Sequence, residues 1–470
     1  MSIQAEVANG TTTVEERVRL FLDEARRQKD LNCFITLFEE KALEQARRVD
    51  HKIKAGETTG RLAGLVLAVK DNIVIKDTPT TCGSKILNRF DSPYTATVVE
   101  RLMAEDAVIL GKTNMDEFAM GSSNENSAFG PVKNPHNSDY VPGGSSGGSA
   151  VAVAAGLADA ALGSDTGGSI RQPASFTGTY GIKPGYGRVS RYGLVAFGSS
   201  LDQIGVFAST PAITARVLEV ISGHDPRDST SARVDVPSFS EVIRPDMKGM
   251  RIGIPGEYFQ KGLDPHIEKS VRAIISEMEK AGATAVPVSL PMTEYAIAIY
   301  YIIATAEASS NLSRFDGVRY GLRADEPRDL GDMYARTRSE GFGEEVKRRI
   351  MLGTYVLSAG YYDAYYNKAM KVRRLLKEGF DAAFGKCDLI LSPTTPTTAF
   401  KLGEKTDDPL SMYLQDIYTV SANLAGLSAI SIPAGKDERG LPFGIQAQAP
   451  SFNEQVLFNC AQFIHNLKLI

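Results

Sequence analysis

Gly64-Leu65-Val66-Leu67-Ala68-Val69-Lys70 is the stretch from which the fold is read. A glycine turn opens onto five consecutive apolar residues without polar alternation, the pattern of a strand buried on both faces. Lys70 closes the run, where a lysine ordinarily reaches solvent. Downstream, Thr97–Ala104 has helical spacing and Ala107-Val108-Ile109-Leu110 is a second doubly buried run. Upstream, Thr13 caps a helix whose apolar stripe is Val14, Val18, Leu20 and Phe21, and Glu39–Lys54 is a charged amphipathic helix. Strand and helix patterns continue to alternate, which makes the class α/β. Residues 250–255, Thr284–Val288, 389–391 and 429–432 read as strands. Residues 266–281, 292–312, 344–380 and the segment from Asn453 read as helices. With no repeat and no clean linker, the expectation is an N-terminal helical segment over residues 1–60 packed on one large domain over 61–470, with peripheral helices at about 292–380.

Composition narrows the function. The 470 residues carry 52 Lys+Arg against 56 Asp+Glu, a net charge of −4. That argues against a protein gripping nucleic acid through its own basic surface, which needs clustered cations. Four cysteines (Cys33, Cys82, Cys387, Cys460) lie far apart with no C-x-x-C pair, so a zinc site or disulfide framework is not expected and a reducing compartment is. The first thirty residues are polar and charged, unlike a signal peptide. The most apolar stretch, residues 150–163, is too short to span a bilayer, holds Asp159, and reads as a buried helix of small residues. The expectation is a cytoplasmic protein with no membrane contact.

Between Met120 and Ser200 the chain turns to glycine and serine with few charges. Apolar segments threaded through this block argue against a linker and for backbone that approaches a ligand closely. Gly111-Lys112-Thr113 resembles the end of a phosphate-binding loop, but Asp106 stands where the motif needs glycine. Gly143-Gly144-Ser145-Ser146-Gly147 fits the G-x-S-x-G nucleophile elbow, which requires an Asp and a later His. The five histidines are His51, His136, His224, His266 and His465, and none sits in a motif-like setting, so a Ser-His-Asp enzyme is a weak but open reading. In Asp165-Thr166-Gly167-Gly168-Ser169, two glycines before a serine leave N–H groups unshielded, as an oxyanion hole requires; a plain Gly-Gly-Ser turn is the bland alternative. Lys70, if buried, would lose its charge and act as a base; a solvated strand-end lysine is the alternative.

Taken together and in this order, Ala68-Val69-Lys70-Asp71-Asn72, residues 143–150 and residues 165–173 resemble the amidase signature family. The resemblance implies an α/β/α sandwich around a large mixed sheet and a Ser–cis-Ser–Lys triad. In that triad Ser169 is the nucleophile, Ser145 the bridging serine with an unusual cis peptide, and Lys70 the base. The N–H groups of Thr166, Gly167, Gly168 and Ser169 would form the oxyanion hole. Residues 112–122, 307–317 and 347–353 are similar to the branch of the family found in tRNA-dependent amidotransferases. That similarity implies glutamine as ammonia donor for converting Glu-tRNA(Gln) to Gln-tRNA(Gln), with Arg349 and Asp416 on its α-carboxylate and α-ammonium and Tyr300 lining the pocket. It also implies a heterotrimer with two other amidotransferase subunits. The larger of them, the B-subunit, would carry ATP, Mg²⁺ and most of the tRNA contact, and the small C-subunit would act as a clasp. This chain itself would hold no metal or cofactor. A stand-alone amidase of small carboxamides and a non-catalytic scaffold are the competing readings.

Overall fold

The computed structural model describes residues 6–7, 9–260, 262–406 and 408–469. Its centre is an eleven-stranded mixed sheet. In chain order the strands are β1 (Phe34–Leu37), β2 (Val66–Lys70), β3 (Val108–Thr113), β4 (Ala160–Asp165), β5 (Tyr180–Lys183), β6 (Gln203–Ala208), β7 (Arg251–Pro255), β8 (Thr284–Val288), β9 (Leu389–Pro393), β10 (Ser428–Lys436) and β11 (Pro442–Ala449). Their spatial order is β1-β3-β2-β4-β6-β5-β10-β11-β9-β7-β8. β2 runs parallel to both β3 and β4, while β6, β5, β10, β11 and β9 pair antiparallel in sequence across the middle.

Unbroken apolar runs form these strands because both faces are covered. Along β2, Leu67 and Val69 enter one core, whereas Val66 and Ala68 face packing on the other side; in β4 and β6, Leu162 and Val206 oppose Ala161 and Phe207 in the same way. This is the α/β/α layering expected.

The N-terminal helix Val14–Arg27 starts at Thr13, which makes a full capping box with Glu16. Its buried stripe is Val14, Val18, Leu22 and Ala25; Leu20, read as part of that stripe, is 69% exposed. The stripe follows the i, i+4 spacing of a single helical face, which Leu20 does not share. The segment is not purely helical either, since β1 joins the sheet beside β3.

Residues 150–163 correct a second expectation. The helix Gly147–Ala154 ends there, Gly156 turns with φ +69°, and β4 begins at Ala160. Residues 344–380 are likewise two helices, Glu344–Leu357 and Lys368–Phe384, separated by a turn and a short π-helical segment. The four cysteines are buried and free, and among the described residues no helix is long and apolar enough to cross a membrane.

Candidate active site

Parallel pairing of β2 with β4, in register Val69↔Leu162, brings their carboxyl ends together at one edge of the sheet, the usual place for a ligand crevice in α/β proteins. Lys70 is the last residue of β2 and is fully buried. Its Nζ lies 2.8 Å from Ser145 Oγ, 2.8 Å from Ser146 Oγ and 3.0 Å from Ser164 Oγ. Burial lowers its pKa to about 7, against the pull of Asp116, Asp165 and Asp202, so a large neutral fraction exists at neutral pH. Among the described residues no histidine bonds these serines: His136, His224, His266 and His465 bond Thr177, Ser231, Lys436 and Tyr180 respectively and His51 is exposed on the helix Glu39–Lys54, which leaves the Ser-His-Asp reading without a base. Lys112 of the phosphate-loop look-alike is sealed in an ion pair with Asp71 at 3.0 Å.

The serine loop before the helix Gly147–Ala154 contains a cis peptide between Gly144 and Ser145. Glycine is needed at 144 by space: a Cβ there would lie 2.1 Å from Asp116 Oδ2. Gln172 ties this loop to its neighbour, accepting from Gly144 N–H at 3.0 Å and donating to the Ser122 carbonyl at 2.6 Å.

The second loop follows β4. Ser169 is 7% exposed, and Ser146 N–H donates to its carbonyl at 3.2 Å, which docks the two loops. The Ser169 hydroxyl makes no hydrogen bond to Ser145 among the described residues. Gly167 and Ser169 keep backbone N–H groups without a protein acceptor among the described residues, whereas Gly168 N–H is taken by Asp165 Oδ1 at 2.9 Å. Gly168, with φ +142°, thus shapes the loop and in this structure gives its N–H to Asp165.

Asp165 organises the loop. It accepts from Gly168 and Ile170 N–H, from Asn423, and from Arg171 at 3.1 and 2.9 Å. Burial would raise its pKa, but Arg171 holds it at about 2. Arg171 in turn reaches the Gln446 side chain on β11, which donates to the Tyr418 carbonyl. No local sequence pattern indicates this partner 275 positions away.

Tyr300 and Asp416 lie against the Gly-Gly turn. A Cβ on Gly167 would meet the Tyr300 ring at 2.6 Å, and one on Gly168 would come within 3.1 Å of Asp416 Oδ1. Asp416 accepts from the Ser122 hydroxyl through Oδ2, while its buried Oδ1 has no partner among the described residues. Burial raises its pKa to about 7. Arg349 is 3% exposed, with Nε 2.8 Å from Glu345 Oε1 and its guanidinium 5.2, 5.7 and 5.6 Å from the rings of Tyr301, Tyr413 and Phe197. Its terminal nitrogens have no hydrogen bond among the described residues, and it lines a cavity of about 130 Å³ with Gly121, Ser123, Glu345 and Tyr413. An unpaired carboxylate oxygen and an open guanidinium edge beside one serine loop suit a small zwitterion. Among the described residues no group of three or more His, Cys, Asp or Glu is placed to hold a metal.

A buried lysine held between two serine–glycine loops, at the carboxyl ends of parallel strands in an α/β/α sandwich, defines the amidase class of fold. The chain belongs to that family: the model described as Amidase matches residues 16–458. It is 59% identical to the A-subunit of glutamyl-tRNA(Gln) amidotransferase from Koribacter versatilis over 93% of this chain and 91% of the relative. A crystal structure of the glutamyl-tRNA(Gln) amidotransferase A-subunit from Thermotoga maritima is 43% identical and superposes with a TM-score of 0.80, covering 96% of this chain and 91% of that one. A native peptide amidase from Stenotrophomonas maltophilia, 30% identical, superposes at 0.83 over 99% and 95% of the two chains.

Proposed function

We propose that this chain is the glutamine-hydrolysing subunit of a tRNA-dependent amidotransferase that converts Glu-tRNA(Gln) to Gln-tRNA(Gln). ATP and Mg²⁺ are used on the partner B-subunit, which makes most of the tRNA contact. The small C-subunit completes a cytoplasmic heterotrimer, and no cofactor is assigned to this chain. The observation that carries the glutamine reading is the pair of open valences on Arg349 and Asp416 Oδ1 about the Gly121–Ser123 segment, with Asp416 also against Gly168 in the loop of Ser169. A simple amide needs neither charge, whereas glutamine brings an α-carboxylate for the guanidinium and an α-ammonium for the carboxylate.

The chemistry follows from the lysine. Neutral Lys70 takes the proton of Ser145, Ser145 takes that of Ser169, and Ser169 Oγ attacks the carboxamide carbon. The oxyanion is met by free N–H groups of the Gly167–Ser169 turn. The proton returns through Ser145 to the leaving nitrogen, ammonia departs, and water hydrolyses the γ-glutamyl ester to glutamate.

Native mass spectrometry of the chain purified from its own cells tests the assembly. One copy each with a subunit of similar size and a small third one is expected. A homo-oligomer without partners would overturn the amidotransferase reading in favour of a free amidase.

A further inference from the structure

The lysine cluster contains three side chains that the proton path does not use: Ser146, Ser164 and Asn72. Asn72, two residues beyond the base, is 2% exposed, and its Nδ2 donates to Ser164 Oγ at 2.9 Å. That oxygen also lies 3.0 Å from Lys70 Nζ. We propose that Asn72 and Ser164 form a positioning pair that aims the lone pair of Lys70 at Ser145.

The argument is a count of hydrogens. A neutral lysine has two N–H bonds and one lone pair; three hydroxyl oxygens lie within 3.0 Å of Nζ, with the Ser164 carbonyl farther off at 3.5 Å. Only the oxygen that receives no N–H can deliver a proton. Ser146 is fixed as an acceptor toward Lys70, because its own hydroxyl donates to the Ser164 carbonyl at 3.0 Å. Ser164 Oγ, taking one N–H from Asn72, has a second lone pair left for Lys70 and turns its own proton away from the amine. Both N–H bonds are then committed, and the lone pair is left for Ser145. Without Asn72, the Ser164 hydroxyl is free to donate to Lys70 and occupy the lone pair unproductively. The other charged or titratable groups acting on Lys70 are Asp116, Asp165, Asp202 and Cys82; Asp71, next in sequence, is neutralised by Lys112. None of them contacts the Ser164 hydroxyl.

The inference rests on Lys70 being the base, so the two fail separately. Ammonia release is measured against pH for the intact complex carrying Asn72→Asp, Ser164→Ala and Ser164→Thr. Asn72→Asp places an acceptor and a negative charge where a donor stood, so the acid limb of kcat/KM moves to higher pH by about one unit or more. Ser164→Ala lowers kcat by about 10- to 100-fold with KM within about twofold, and Ser164→Thr, which keeps the hydroxyl, restores most of it. An unmoved acid limb in Asn72→Asp overturns the pair, as does a Ser164→Ala whose loss lies in KM. If Asn72→Asp does not fold, the kcat–KM split and threonine rescue at Ser164 decide alone. A Ser169→Ala enzyme that still hydrolyses glutamine would instead overturn the mechanism beneath it.

Discussion

The two halves of the site are built on opposite rules. Around Lys70 and Asp165 every charge meets partners from the protein itself: three hydroxyl oxygens surround the lysine, and Asp165 is enclosed by Arg171, Asn423 and backbone N–H groups. Around Arg349 and Asp416 the protein stops short, leaving one buried carboxylate oxygen and the guanidinium edge unmatched among the described residues. A leaving proton needs the same acceptor whatever the substrate, so that half can be finished in advance. Selectivity requires that a ligand complete the other half, since a site with unmet polar groups penalises every molecule that cannot satisfy them.

The sharpest way to break this contrast is at the proposed nucleophile. Ser169→Ala is expected to reduce ammonia release by about 10⁴-fold or more while glutamine still binds, as isothermal titration would record. Next comes the finished half: Arg171→Leu strands the fully buried carboxylate of Asp165 and should cost about 3–5 kcal/mol, read from urea unfolding. An unchanged midpoint would mean that this network is not a structural keystone. At the open half, Arg349→Lys should raise KM for glutamine about 10- to 100-fold with kcat within a few-fold, because an ammonium cannot offer the two parallel bonds of a guanidinium. Equal losses in kcat and KM would place Arg349 on the chemical side instead. The smallest effect is in pH. If Lys70 is the base and Asp416 meets the α-ammonium as proposed, both, with pKa near 7, must lose a proton before the free enzyme turns over glutamine, but bound substrate holds Asp416 ionised. The acid limb of kcat/KM should therefore be steeper than that of kcat, both rising as pH passes about 7.

The legible parts of the molecule were those written in neighbouring residues. Apolar runs gave away β2 and β3, Thr13 marked a helix start, and the glycine–serine block located both loops. What stayed hidden depends on partners far along the chain. β1 is only four residues, all half-buried, with no alternation to detect. The stretch after Gly147 is mostly alanine, valine and glycine, equally at home in a small-residue helix and a buried strand, so its break was not marked. Asn72 and Ser164, 92 positions apart, meet only through the register of β2 with β4. The bond from Gly168 N–H to Asp165 was not marked either, since the carboxylate folds back across three residues.

The margins of the sheet carry a consequence for self-association. Long β-sheets invite growth by strand addition wherever a regular edge is left unpaired. Here one margin is β1, short and interrupted by a register shift between Phe34 and Thr36. The other is β8, with Pro287 as its penultimate residue, one that has no N–H to offer an incoming strand. Behind β1, however, lies β3, a strand of six fully buried residues. Its protection from polymerisation is therefore delegated to four residues near the start of the chain. Loosening that strip, by a proline at Ile35 for example, should reveal itself as aggregation during refolding well before any loss of activity in the folded enzyme.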